Sequence, residues 1–215
     1  MSTEATRQTL LDATEQLLAE QGYAATTLRQ LTARAGANLA AVSYHFGGKE
    51  QIVRAALQRR IEPINRERLR RLRNLGDQPP AASPVLAAFL QPLLHATATM
   101  DMPPAAMRMF CRVLGEEPPF LRDFLAEQFG AVVHHFSTAL QQALPHLDHA
   151  TIAWRLHFAI GAIAHLLPNA TTIRAVTKGL CDPLDADTLE AQLLTFLDAG
   201  FGAPRPRETT LPRQP

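Results

Sequence analysis

The side chains best suited to chemistry in these 215 residues are eight histidines, two cysteines and twenty-one Lys/Arg, and their spacing decides what they can do. His134-His135 and the run "PHLDH" (His146, Asp148, His149) are the densest candidate metal ligands. Neighbouring histidines on a helix point to different faces, however, and Asp148 at a helix start is better explained as a cap. No HExxH pair occurs, so no metal is expected. Cys111 has Arg108 and Arg112 near it, cations that could lower a thiol pKa, although a mid-helix cysteine is more often a small buried hydrophobe. Cys111 and Cys181 make neither a disulfide framework nor a metal knuckle. No nucleophile–base pair and no phosphate-cradling glycine loop is present, so catalytic residues and cofactors are not expected.

The cations are unevenly placed. Residues 1–76 hold twelve Lys/Arg against seven Asp/Glu, and the remainder nine against thirteen. A basic N-terminal piece on a mildly acidic body suits a phosphate-bearing partner, although the same charges could simply solvate a helix. No run of about 18 uncharged apolar residues suggests a membrane span. The start "MSTEATRQ" lacks the order of a signal peptide, so a cytoplasmic protein without membrane contact is expected.

The elements that must position these groups read as helices throughout. Leu10, Leu11, Thr14, Leu17 and Leu18 share one face of a first helix that Gly22 stops. Thr27 and Gln30 have capping-box spacing at the start of a second, whose inner face is Leu28, Leu31 and Ala35. Gly36 ends it, Asn38 caps a third helix "LAAVSYHF", and Gly47-Gly48 closes that one. A fourth helix runs from about Lys49 to Leu75, and "GDQPPAASP" then breaks the chain. Further helices are expected over about 83–100, 104–114, 119–144, 149–167 and 186–201. The fold expected is all-α, with a helix-turn-helix unit over 1–48, a connecting helix over 49–76 and a larger helical regulatory and dimerisation domain over 77–202. The Pro- and Arg-rich stretch 203–215 has little to bury and is expected to be disordered.

Two short helices joined by three or four residues have the size of a DNA-binding helix-turn-helix, whose second helix enters the major groove. Val42 and Phe46 share a face and should pack on Leu28 and Leu31. The opposite face offers Leu39, Ala40, Ser43 and Tyr44. Small residues at Ala40 and Ala41 permit close approach to a groove floor, and an exposed Leu39 could meet a thymine methyl. Ser43, Tyr44 and His45 can bond phosphates or base edges, and Asn38 at the cap is a further candidate contact. Lys49 and the start of the second helix at Thr27 are set to reach phosphates, and Arg29 and Arg34 could join them. Of the arginines on the fourth helix, Arg54 is the best placed to join them.

The stretch "LRQLTARAGANLAAVSYHFGGKEQIV" resembles the N-terminal signature of the TetR family of bacterial transcriptional regulators. Thr26, Thr27, Ala35, Gly36, His45, Phe46, Lys49 and Glu50 fall where that signature wants them. The commonest family pattern has tyrosine where this chain has Ser43, with Tyr44 one step later. This variant is similar to the branch that includes fatty-acid-responsive regulators, and a weaker likeness continues through "MRMFCRVLGEEP" and "WRLHFAIGAIAHLL". The resemblance implies a homodimer on a palindromic DNA operator, closed by two late helices packing on their copies. Ala153, Ile160, Gly161, Ala164 and Leu167 on one helix, with Leu193, Phe196 and Leu197 on the other, are the expected interface. It also implies a small-molecule effector, such as a fatty acid or acyl-CoA, bound between body helices. Met107, Phe110, Cys111, Phe120 and Phe124 are candidate lining residues, and Arg108, Arg112, His157 and His165 candidate partners for its head group. Aromatic and methionine stripes are more often plain core, and arginines on such helices often snorkel. The expected function is a ligand-responsive repressor; an all-α enzyme and a DNA-binding protein without ligand are the alternatives.

Overall fold

Apolar residues spaced three and four apart build the N-terminal helices. In α1 (Thr3–Ala25), Leu10, Leu11, Thr14, Leu17 and Leu18 are all buried, as their shared face requires. Helix α2 (Leu28–Ala35) starts at a complete capping box: Thr27 Oγ1 accepts the Gln30 backbone N–H at 3.3 Å, and Gln30 Oε1 accepts the Thr27 N–H at 2.8 Å. Gly36 ends it in the left-handed region at φ 61°, which leaves an unstrained backbone to an achiral residue. Helix α3 (Leu39–Phe46) opens with Asn38 Oδ1 accepting the Ala41 N–H at 2.9 Å and closes at Gly47. Val42 on its inner face is fully buried, and Phe46 and Leu28 pack beside it.

The computed structural model describes residues 3–76, 81–96 and 103–205, and the chain is all-α. After α3 come α4 (Lys49–Asn74), α5 (Ala82–Leu94), α6 (Pro104–Glu116), α7 (Leu121–Ala143), α8 (His149–Leu166), α9 (Ala170–Val176) and α10 (Ala186–Gly202). Asp148 caps α8 by accepting the Thr151 N–H at 2.8 Å, and Asp185 caps α10 in the same way at 3.1 Å. Residues 77–80 of the expected break and 206–215 of the expected disordered tail lie outside the described residues. Helix α9 was hidden in what reads as punctuation: it is seven residues long, opens with no side-chain cap and buries Ala170 alone, so it leaves no apolar rhythm. No single helix among the described residues is long and apolar enough to cross a membrane.

Two large apolar cores hold most of these helices together. The first joins α1, α2, α3 and the first half of α4 to Met109 and Val113 of α6 and to Phe120, Leu121 and Phe124 at the start of α7. The second gathers α5, the later turns of α7, α8 and α10. Two long helices belong to both. Ile52, Val53, Ala56, Leu57 and Ile61 place the head of α4 in the first core, while Leu69, Leu72 and Leu75 pack on the second. The N-terminal core thus takes in the head of α4 and side chains from the body.

One carboxylate is buried inside the first core. Glu15 of α1 accepts from Arg59 Nε at 2.9 Å and from Arg60 Nη2 at 2.8 Å, so this charge is matched twice over. Val42→Ala is expected to lower unfolding stability by about 1–3 kcal/mol through the cavity it leaves. Urea unfolding measures this, and an unchanged midpoint would mean that α3 presents the other face.

Candidate nucleic-acid interface

With Val42 turned inward, the outer face of α3 is left to solvent. Leu39 is 47% exposed and Tyr44 79% exposed, while Asn38, Ala40 and Ser43 are exposed and Ala41 and His45 half-buried. The Tyr44 and His45 rings meet edge to face with centres 5.1 Å apart, which stiffens two polar tips on a helix of eight residues. Thr27 and Arg29 are exposed at the start of α2. The expected contact residues Thr27, Arg29, Asn38, Leu39, Ala40, Ala41, Ser43, Tyr44 and His45 are thus brought to one short stretch of two capped helices. Such a surface offers hydroxyls, an imidazole, a guanidinium and an apolar side chain over a backbone able to come close.

Two cations depart from expectation. The Lys49 ammonium is half-buried: it donates to the Tyr23 carbonyl at 2.7 Å and sits 4.2 Å from the centre of the Tyr23 ring. Burial pulls its pKa below the usual lysine range, and the Glu116 carboxylate nearby pushes it back up. It is held against α1 rather than held out for a phosphate. Arg54 turns to the body, where it bonds Glu127 at 2.5 Å and lies over the Phe120 and Phe124 rings at 5.9 and 5.4 Å. Arg34 pairs with Glu20 at 2.7 Å, which leaves Arg29 as the more available cation beside α3.

Lys49 belongs to a junction that sequence reasoning did not find. At Gly22 the backbone of α1 turns through φ 81°, breaking the helix and freeing the next N–H groups. Glu116, at the last turn of α6, accepts both: Tyr23 N–H at 3.1 Å and Ala24 N–H at 2.6 Å. A Cβ at Gly22 would fall 1.6 Å from Glu116 Oε1. The signal lay in a glycine read as an ordinary helix stop and in "GEEPP", read as punctuation.

The other expected sites are only partly assembled. Phe120 and Phe124 are buried in the first core, beside Met109 and Val113 of α6 and the helices of the N-terminal unit. Met107, Phe110 and Cys111 are half-buried on α6, and Arg108 and Arg112 are exposed. His157 and His165 are exposed on the far side, along α8, with His157 Nδ1 bonded to its own helix at the Ala153 carbonyl, 2.9 Å away. Of the nine, Phe110 packs on the core that holds Phe120 and Phe124, while His157 and His165 lie on α8. Burial pushes the Cys111 thiol up, opposite to the activation its arginine neighbours suggested.

For the expected interface, Ala153, Ile160, Gly161 and Ala164 are exposed on α8, Leu167 is half-buried just past it, and Phe196 is exposed on α10. Leu193 and Leu197 are a correction: both are buried in the protomer's own second core, because α10 turns that stripe toward α5 and α8. The expectation also missed Trp154 and Phe158, exposed and in ring contact at 5.9 Å on α8. Their four-residue spacing, offset from buried Ile152 and Leu156, is legible as a second face.

Comparison with known proteins bears on the whole of this arrangement. The family described as "Bacterial regulatory proteins, tetR family" matches residues 10–56, and "Tetracyclin repressor-like, C-terminal domain" matches residues 87–200, more than half of the chain. The chain belongs to the TetR family. Within it, 61 residues are 38% identical to the HTH-type transcriptional regulator SrpR of Pseudomonas putida; the match covers 28% of this chain and 29% of SrpR. The chain is also similar in fold to the fatty acid degradation regulator FadR from Bacillus halodurans, with a TM-score of 0.68 at 14% identity over 93% of this chain and 97% of FadR. SmeT, the repressor of the Stenotrophomonas maltophilia multidrug efflux pump SmeDEF, has a TM-score of 0.59 at 23% identity, over 99% of this chain and 100% of SmeT. At these identities the two structures speak for the TetR fold, in which α2 and α3 form the helix-turn-helix.

Glu116→Ala is expected to speed hydrogen exchange at the Tyr23 and Ala24 amides while the rest of α1 keeps its protection. Gly22→Ala is expected to cost about 1–3 kcal/mol in urea unfolding, since a side chain there meets both an unfavourable φ and a carboxylate. Unchanged exchange in the first variant would mean that the carboxylate is not what holds this end of α1.

Proposed function

We propose that this TetR-family protein is a DNA-binding transcriptional repressor that works as a homodimer and is released from a palindromic operator by a small apolar effector. The observation that carries the reading is the outer face of α3, where a leucine and a tyrosine stand in water on a helix anchored from behind by Val42. Exposed large side chains on so short and rigid a helix are costly without a partner, and the major groove admits such a helix. In this reading Leu39 and Ala40 meet base edges, Ser43, Tyr44 and His45 meet bases or phosphates, and Thr27 and Arg29 meet the backbone. Lys49 positions the end of α1 rather than touching DNA.

Dimerisation follows from the size of the reader, since two half-sites one helical turn apart need two copies. Trp154, Phe158, Ile160 and Phe196, with small Gly161 and Ala164 among them, supply an apolar face on α8 and α10 that a copy could cover. The effector class is a fatty acid or acyl-CoA. Its support is the likeness to the fatty-acid-responsive branch and the fold shared with FadR. The effector acts by preferring one placement of α4 over another, and decisive release needs several kcal/mol of differential affinity between the two.

Selection of random duplex DNA on the purified protein tests the reading directly. A palindrome with half-sites about 34 Å apart is expected; no enrichment at low salt would sink the DNA-binding reading. On the selected site, Tyr44→Ala is expected to weaken binding about tenfold or more with an unchanged melting temperature. Arg29→Ala should lower the slope of log affinity against log salt by about one.

A further inference from the structure

Arg68 lies in the later half of α4, in a run of arginines scattered round the helix, yet it is 5% exposed. Its Nε donates to the Phe89 carbonyl at 2.8 Å, and its Nη1 donates to Asn65 Oδ1 at 3.2 Å. The guanidinium carbon sits 4.4 Å from the centre of the Phe89 ring. Asn65, itself buried, donates to the Gln128 carbonyl at 2.8 Å. All these partners are neutral. Among the described residues no carboxylate pairs with Arg68 and no acceptor takes its Nη2.

Burial lowers the pKa of this guanidinium to about 10, so at neutral pH it keeps its proton and its charge. The contrast with Glu15 is direct. That buried charge faces two arginines, whereas Arg68 faces carbonyls, an amide and a ring. A buried charge without a counter-charge is among the more expensive features a core can hold. Its bound counter-ion can come from outside the chain.

We propose that Arg68 anchors the head group of the effector, and that the effector carries a single carboxylate on an apolar body. This rests on the regulator reading above and narrows it. A planar fork with unspent N–H groups matches a carboxylate in geometry. Arg68 is also the one buried cation among the described residues, so it balances one negative charge and not the two of a phosphate monoester. The surroundings suit an apolar body: Phe89 packs on Phe136 with ring centres 5.2 Å apart, and Leu69 and Leu72 of α4 pack on the same core. The head-group candidates Arg108, Arg112, His157 and His165 are all exposed and offer no such setting. A carboxylate on those unspent N–H groups pulls on the guanidinium whose Nε holds the Phe89 carbonyl of α5. It therefore acts on the contact between the helix that leads to the reader and the body.

The test is thermal melting of the full chain with dodecanoate, below its micelle-forming concentration, and with dodecanol as the neutral counterpart. Dodecanoate is expected to raise the melting temperature of the unaltered protein in a saturable way and dodecanol to do so far less. Arg68→Met removes the charge and keeps much of the volume. It is expected to melt no lower than the unaltered protein, and its half-saturating dodecanoate concentration to rise at least tenfold. Arg68→Gln, which keeps a donor for the Phe89 carbonyl, is expected to lose the response equally and decides the matter if the first variant does not fold. No response of the unaltered protein, equal response to the alcohol, or an unchanged half-saturation in the folded variant overturns the proposal. The melts involve no DNA, so they stand or fall separately from the selection experiment. DNA binding without a carboxylate response defeats this proposal alone, and a carboxylate response without DNA binding defeats the regulator reading.

Discussion

The N-terminal unit does not have a core of its own, and the rest of the structure depends on that deficit. One long helix, two short ones and the head of α4 cannot enclose enough apolar surface to stand alone in comfort. Met109, Val113, Phe120, Leu121 and Phe124 from the body complete the cluster around Leu10, Leu31, Val42 and Ile52. The polar contacts at the seam follow the same logic: Glu116 takes the loose amides of α1, and Arg54 bridges α4 to Glu127 over two phenylalanine rings. A shift of α6 or α7 is thereby a shift of the wall on which the reader rests.

Local and global preferences agree nearly everywhere in α2 and α3. Side-chain caps at Thr27 and Asn38, left-handed glycines at 36 and 47 and the inward Val42 all specify the same pair of helices. Disagreement is confined to Leu39 and Tyr44, which break the rule that large apolar surface is hidden. In a chain otherwise consistent with itself, such exceptions mark where selection has acted on something other than stability.

The helix-turn-helix was legible because its information is local: a capping box, two glycines and a four-residue apolar spacing within twenty residues. The all-α fold and the caps at Asp148 and Asp185 could be read for the same reason. What could not be read depends on orientation between distant elements. Nothing in "LEAQLLTFLDAGF" says that Leu193 and Leu197 face inward and Phe196 outward until α5 and α8 are in place. Likewise Lys49, Arg54 and Arg68 are alike in sequence, a cation on a helix. Tyr23, Glu127 and Phe89, which decide their roles, lie 26, 73 and 21 residues away.

Trp154 is the chain's one tryptophan, and it stands 67% exposed on the apolar face of α8, against Phe158. An indole in that position emits as a solvated chromophore while the protomer is alone. Covering the face would shift that emission to the blue and shield it from iodide quenching. The protein thus carries its own optical label on the face proposed as the meeting surface of two copies, free of interference from any second tryptophan. Dilution followed by fluorescence would then report association in solution without tag or dye, at concentrations well below those that scattering methods require.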